Sequence, residues 1–223
     1  MLSLVKTISK QKNYVLYTKP FQLNIWGFRS NQTKANSFDD EIHVFYKTNS
    51  VNWEYHIFKA TTDPGTFWLN DPMRPEGTAI LEQGQYVDTY ALGLHRGKYI
   101  ALTEVLKPVT VIRDYNRNST LDFFNGKKHT GFFGINIHRA MVKGITRYVD
   151  NHSAGCQVFA NASDFYFFTE LCEKHRLLYG NKFTYTLVDW RAIRRARVRR
   201  MTAGTLIAGT AGLTTFLLLR NNN

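Results

Sequence analysis

Cys156 and His138 are the residues in this 223-residue chain whose types and spacing suggest chemistry. A thiol becomes a nucleophile only as the thiolate, and a histidine brought beside it in the fold supplies the base. Cys156 closes the run Asn151-His152-Ser153-Ala154-Gly155-Cys156. Gly155 removes a side chain immediately before the thiol, so neighbouring backbone N–H groups can face a developing oxyanion. His138 ends the alternating run Gly134-Ile135-Asn136-Ile137-His138. In a strand, Ile135 and Ile137 point one way while Asn136 and His138 share the opposite face. That places His138 off the core side, in a cleft, with Asn136 beside it. Arg139 follows at the strand end, where a guanidinium can bind a substrate carboxylate.

His138, fourteen intervening residues and Ser153-Ala154-Gly155-Cys156 together resemble the signature of the L,D-transpeptidase family, including its phage-encoded members. Upstream, His56-Ile57-Phe58-Lys59-Ala60-Thr61-Thr62-Asp63-Pro64-Gly65 is similar to that family's strand leading into a Thr/Gly/Pro loop. The resemblance spans roughly residues 41–188. It implies a mainly β, sandwich-like domain with one or two helices that acts on peptidoglycan stem peptides through a cysteine acyl-enzyme. It carries over Cys156 as nucleophile, His138 as base and the Gly155–Cys156 backbone as part of an oxyanion hole. Ser153 joins the catalytic set, and Asn136 and Arg139 are substrate-binding candidates. No cofactor is implied. The chain departs from the signature at Ala154, where the family has histidine, and at Gln157-Val158. Transpeptidation, carboxypeptidation and endopeptidation share the acylation step, so the motif leaves all three open. A catalytically inactive virion or membrane-associated protein that keeps the fold is the alternative.

The elements that must position these residues read as short strands over 14–17, 23–26, 42–46, 53–60, 99–104, 109–113 and 183–187. Phe165, Phe168, Leu171, Cys172 and His175 recur at helical spacing, which predicts a helix from Asp164 to Tyr179. Ser163 is its expected N-cap and Gly180 its stop. Cys172 on that packing face reads as a buried structural thiol. Two cysteines give no disulfide framework. Residues 1–11 lack the apolar core of a signal peptide. A weaker pattern, Asp114, Asn116, Asn118 and Asp122, resembles part of a calcium loop but lacks its glycine and late glutamate.

The formal net charge of +12 is uneven. All 17 Asp and Glu lie within residues 1–189, whereas the tail holds seven of the 29 Lys and Arg. This argues against a nucleic-acid surface spread over the whole domain, and leaves the arginines of 191–200 to meet anionic lipid head groups or, as the less favoured partner, nucleic acid. The expected organisation is a cysteine domain over 1–189, a basic segment over 190–201, a hydrophobic helix over 202–219 and a polar terminus over 220–223. The eighteen uncharged residues 202–219 are near the minimum for a transmembrane helix. Gly204, Ala208 and Gly212 recur every four residues, the pattern of self-associating membrane helices. The expected location is a host membrane or a virion.

Overall fold

The computed structural model describes residues 1–190. The basic segment beyond Trp190, the hydrophobic stretch 202–219 and its Gly204, Ala208 and Gly212 lie outside the described residues. Among the described residues no helix is long and apolar enough to cross a membrane.

The fold is mainly β, as expected from the aromatic and β-branched runs. In chain order it comprises α1 (Leu2–Lys12), β1 (Asn24–Arg29), β2 (Asp40–Lys47), β3 (Trp53–Thr61), α2 (Thr66–Asn70), β4 (Thr78–Leu81) and β5 (Gly84–His95). Then follow β6 (Tyr99–Glu104), β7 (Val109–Asp114), β8 (Lys128–Gly131), β9 (Ile137–Arg139), β10 (Gln157–Phe159), α3 (Ala162–Tyr179) and β11 (Phe183–Asp189). Eight strands close into a barrel in the order β1-β11-β5-β6-β9-β10-β3-β2, and β4-β7-β8 form a separate antiparallel sheet. Closure pairs every strand of the large sheet on both sides, which leaves no exposed edge. In place of the expected sandwich with one or two helices, the described residues form this closed barrel with a separate three-stranded sheet and contain three helices.

Several local expectations are corrected. Residues 14–17 form no strand: Val15 N–H donates to Gln85 Oε1 (2.7 Å) and Tyr17 N–H to Asn24 Oδ1 (2.8 Å). Side-chain amides thus replace the ladder that a neighbouring strand would supply. The N-cap of α3 is Asn161, whose side chain accepts from Ser163 N–H. Ser163 therefore lies inside the first turn, and the capping oxygen comes from two residues earlier. The predicted apolar face of that helix does pack inward: Phe165, Phe168, Leu171, Cys172 and His175 are all buried.

The barrel interior is filled by one cluster that includes Ile25, Val44, Phe58, Tyr90, Leu102, Ile137, Phe159 and Tyr185. Gly27 on β1 is required by Tyr185: a Cβ there would stand 1.8 Å from the Tyr185 hydroxyl. That hydroxyl donates to Gln157 Oε1 at 2.8 Å, and both residues are fully buried. A cross-barrel hydrogen bond thereby fixes the residue that follows Cys156. Left unmade in this setting, such a bond costs about 1–3 kcal/mol.

Candidate active site

Parallel pairing of β9 and β10 brings the two motif halves together. Gln157 is in register with Ile137, and Val158 with His138. Residues in register across a parallel pair point to the same side, and sides alternate along each strand. Ile137, Gln157 and Phe159 therefore face the barrel interior, while His138 and Val158 face outward. Cys156, one residue before β10, follows the same alternation. It packs against the outer cluster Phe38, Val149, Val158 and Ala160. His138 and Cys156 thus lie diagonally on one outer face, as the alternation in the sequence predicted for the histidine.

His138 is buried, and its Nδ1–H donates to the Arg139 carbonyl at 2.9 Å. That bond fixes the tautomer and leaves the lone pair on Nε2, the form a general base needs. Burial, followed by the nearby His95, Arg96 and His152, pushes its pKa down to about 3, so the ring is neutral at physiological pH. His95 stacks on it with ring centroids 4.1 Å apart and 24° between planes. His95 in turn accepts at Nδ1 from Asn136 Nδ2 (3.0 Å). Burial first, then Arg96 and Arg139, lower its pKa to about 4.

Cys156 is half-buried, and its Sγ–H donates to the Gly134 carbonyl at 3.3 Å rather than to His138. Burial pushes its pKa up to about 11; the Asn136 N–H and Arg96 oppose the rise and Glu104 adds to it. The resting pair is therefore thiol and neutral imidazole, not thiolate and imidazolium. Gly134 adopts φ +70°, and the turn around it hangs on buried Glu104. The Glu104 carboxylate accepts from Ile135 N–H (2.7 Å) and Phe133 N–H (3.2 Å).

The other expected site residues hold the loop. Ser153 is fully buried; its hydroxyl donates to the Cys156 carbonyl (2.8 Å) and accepts from Gly155 N–H (3.1 Å). The Gly155 amide is thus engaged within the loop rather than free for an oxyanion. Among the described residues, no hydrogen bond of this kind occupies the Cys156 amide. Gly155 has φ +119°, and a Cβ there would stand 2.2 Å from the Ala79 carbonyl oxygen. Asn136 is also fully used: Oδ1 accepts from Glu104 N–H (2.9 Å) while Nδ2 binds His95. The Thr61–Gly65 segment abuts the same loop, with Gly65 N–H donating to the Ser153 carbonyl at 2.9 Å. A buried ion pair, Arg29 Nε to Asp63 Oδ1 at 2.7 Å, anchors that segment.

Arg139 lies with its guanidinium carbon 3.6 Å from the Tyr99 ring centroid. Its Nε donates to the Tyr166 hydroxyl at 3.3 Å. Together with His95, Tyr99, His138, Met141 and His152 it lines a cleft of about 650 Å³. Ala154, within the cysteine loop, lines a second cavity of about 250 Å³. His95, Tyr99 and Glu104 are the site residues that sequence reasoning missed. They come from the β5–β6 hairpin, and no local spacing ties them to either motif half.

The Asp114–Asp122 loop is held by its own polar side chains, although Asp114 Oδ1 is buried without a hydrogen-bond partner. Asp114 Oδ2 accepts from Asp122 N–H (3.0 Å), Asn118 Oδ1 from Thr120 N–H (2.7 Å), and Asn116 Nδ2 donates to Asp122. Among the described residues no group of three or more His, Cys, Asp or Glu is arranged to hold a metal ion. Cys172 is fully buried, and burial raises its pKa well above the usual thiol value.

Compared with known proteins, the chain matches no family model, no curated protein and no solved structure.

Proposed function

We propose that the chain is an L,D-transpeptidase-like cysteine enzyme that acts on peptidoglycan stem peptides. The observation that carries this reading is the placement of Cys156 and His138 on one outer face of the β9–β10 pair, with the His138 tautomer set by the Arg139 carbonyl. Cys156 Sγ attacks an amide carbonyl carbon, forming the S–C bond. His138 Nε2 takes the thiol proton and returns it to the departing amine nitrogen as the C–N bond breaks. The Cys156 N–H then stabilises the tetrahedral oxyanion. Water or a second stem-peptide amine then releases the thioester, giving hydrolysis or exchange. Because the resting thiol is un-ionised, proton transfer to His138 accompanies attack rather than preceding it.

The test is incubation of the full-length protein with muropeptides and mass analysis of the products. Wild type is expected to cleave or exchange a peptide bond, and Cys156→Ala to do neither. A second reading, an inactive protein that keeps the fold, is favoured by one observation: the thiol is bonded to Gly134 and held at a pKa of about 11. Under that reading wild type and Cys156→Ala both leave muropeptides unchanged. For the tail we propose membrane attachment in the host or in a virion, with the arginines of 191–200 at lipid head groups and 202–219 in hydrocarbon. Full-length protein is then expected to co-float with anionic liposomes. Recovery in the unbound fraction overturns the attachment.

A further inference from the structure

Arg113, at the end of β7, is 6% exposed and forms no salt bridge among the described residues. One of its terminal nitrogens donates to the Gly77 carbonyl at 3.1 Å, and its Nε–H has no hydrogen-bond partner. Its guanidinium carbon lies 5.0 Å from the Phe133 ring centroid. A buried cation with an unused donor is costly unless an anion completes it.

The cavity beside it is about 250 Å³ and is lined by Trp68, Met73, Arg74, Thr78, Phe132, Phe133 and Ala154, among others. Two arginines and no carboxylate stand in that lining. Arg74 is exposed at the rim. Arg113 also borders a neighbouring cavity, lined by Pro75, Glu76, Tyr115 and His129, where Glu76 acts on it electrostatically without forming a salt bridge. Two further features tie the first cavity to Cys156. Ala154 and Phe133 belong to the two loops that flank the thiol, one through Gly155 and one through Gly134. Ala79, another lining residue, is the backbone that Gly155 touches.

We propose that this cavity is a carboxylate-binding subsite, in which Arg113 and Arg74 grip the anion and Trp68, Phe132 and Phe133 cover an apolar stem. A planar guanidinium fork suits a carboxylate better than an ammonium does. The subsite itself stands on this geometry; its role in holding a free carboxylate of a substrate peptide rests on the reading of Cys156 as nucleophile.

The experiment compares hippurate, an aryl amide carrying a carboxylate, with its neutral amide. Binding to the full-length chain is followed by tryptophan fluorescence and calorimetry. Wild type and Cys156→Ala are both expected to bind the acid about tenfold more tightly than the amide. Arg113→Gln should erase that preference, Arg113→Lys should retain part of it, and Arg74→Gln should weaken it. If Arg113→Gln does not fold, Arg74→Gln and the salt dependence of the acid-to-amide ratio carry the test. Equal binding of acid and amide by wild type, or a preference unchanged in the folded Arg113 and Arg74 variants, overturns the subsite. An inert Cys156 with an intact preference would instead overturn the enzyme reading and leave the subsite standing.

Discussion

His138 stacks on His95 at 4.1 Å, and both rings are held neutral by burial. Each folded pKa, about 3 and about 4, lies below the unfolded value near 6.5. As pH falls below about 6.5 the unfolded chain binds these protons first. The contribution of the pair is therefore complete above about pH 6.5 and is lost as pH falls toward 4 and then 3. His95→Phe keeps an aromatic ring in the stack and removes one of the two titrations. Urea denaturation of this variant at pH 7 and pH 4.5 should show a smaller loss than wild type over that interval. The His138 pKa, read by NMR, should rise because a like charge is gone. An unchanged His138 titration would mean that burial alone sets it.

Cys156 is expected to be a slow thiol at neutral pH. With a pKa of about 11, roughly 1 molecule in 10⁴ is ionised at pH 7. Iodoacetamide labelling should accelerate through the alkaline range, and Cys172 should not label until the protein unfolds. Rapid labelling of Cys156 at pH 7 would show that the loop opens readily and that the Gly134 bond is not the dominant state.

The facing of the residues in the candidate site was legible in the sequence because each half of the motif is locally coded. The alternation of Ile135, Asn136, Ile137 and His138 reports which face each side chain takes, and the barrel follows it. The α3 face was legible for the same reason, through its three- and four-residue spacing. The stacking partner of His138 and the carboxylate that holds the Gly134 turn were not. His95 and Glu104 reach the site through the β5–β6 pairing, and a residue's burial beside another strand leaves no local period. The roles within the loop were hidden too. Ser153 and Asn136 look like chemistry in the sequence, yet their polar atoms are consumed by backbone and side-chain hydrogen bonds. The α1 helix was missed because its buried set is only Val5, Ile8 and Ser9, too sparse to announce a face.

Ser153→Ala should destabilise the protein by about 1–3 kcal/mol, since the Gly155 N–H then loses its acceptor in a buried loop. Gly155→Ala should do worse, by about 3 kcal/mol or more, because the new Cβ meets backbone at 2.2 Å and φ is +119°. Gly144→Ala is the control: φ is +78° but the space is open, so only the left-handed strain, about 1–2 kcal/mol, is incurred. Urea titrations of the three variants check the ranking. A Gly155→Ala protein as stable as Gly144→Ala would show that the Ala79 backbone yields freely.

Glu104 connects the loop geometry to thiol reactivity, and the two roles can be separated. Its carboxylate holds Phe133 and Ile135 by their N–H groups, which positions the Gly134 carbonyl that accepts from Cys156. Its negative charge also disfavours the thiolate, adding to the effect of burial. Glu104→Gln keeps one oxygen for the Ile135 amide and removes the charge. The alkylation profile of Cys156 should therefore shift to lower pH, with labelling at pH 8 faster by about three- to tenfold. Stability should fall by about 1–3 kcal/mol as one amide loses its acceptor. Hydrogen exchange at Ile135 distinguishes a charge effect from a loosened turn. Retained protection with faster labelling assigns the change to the missing charge; lost protection assigns it to exposure of the thiol. A profile that does not move would show that Glu104 supports the loop without tuning Cys156.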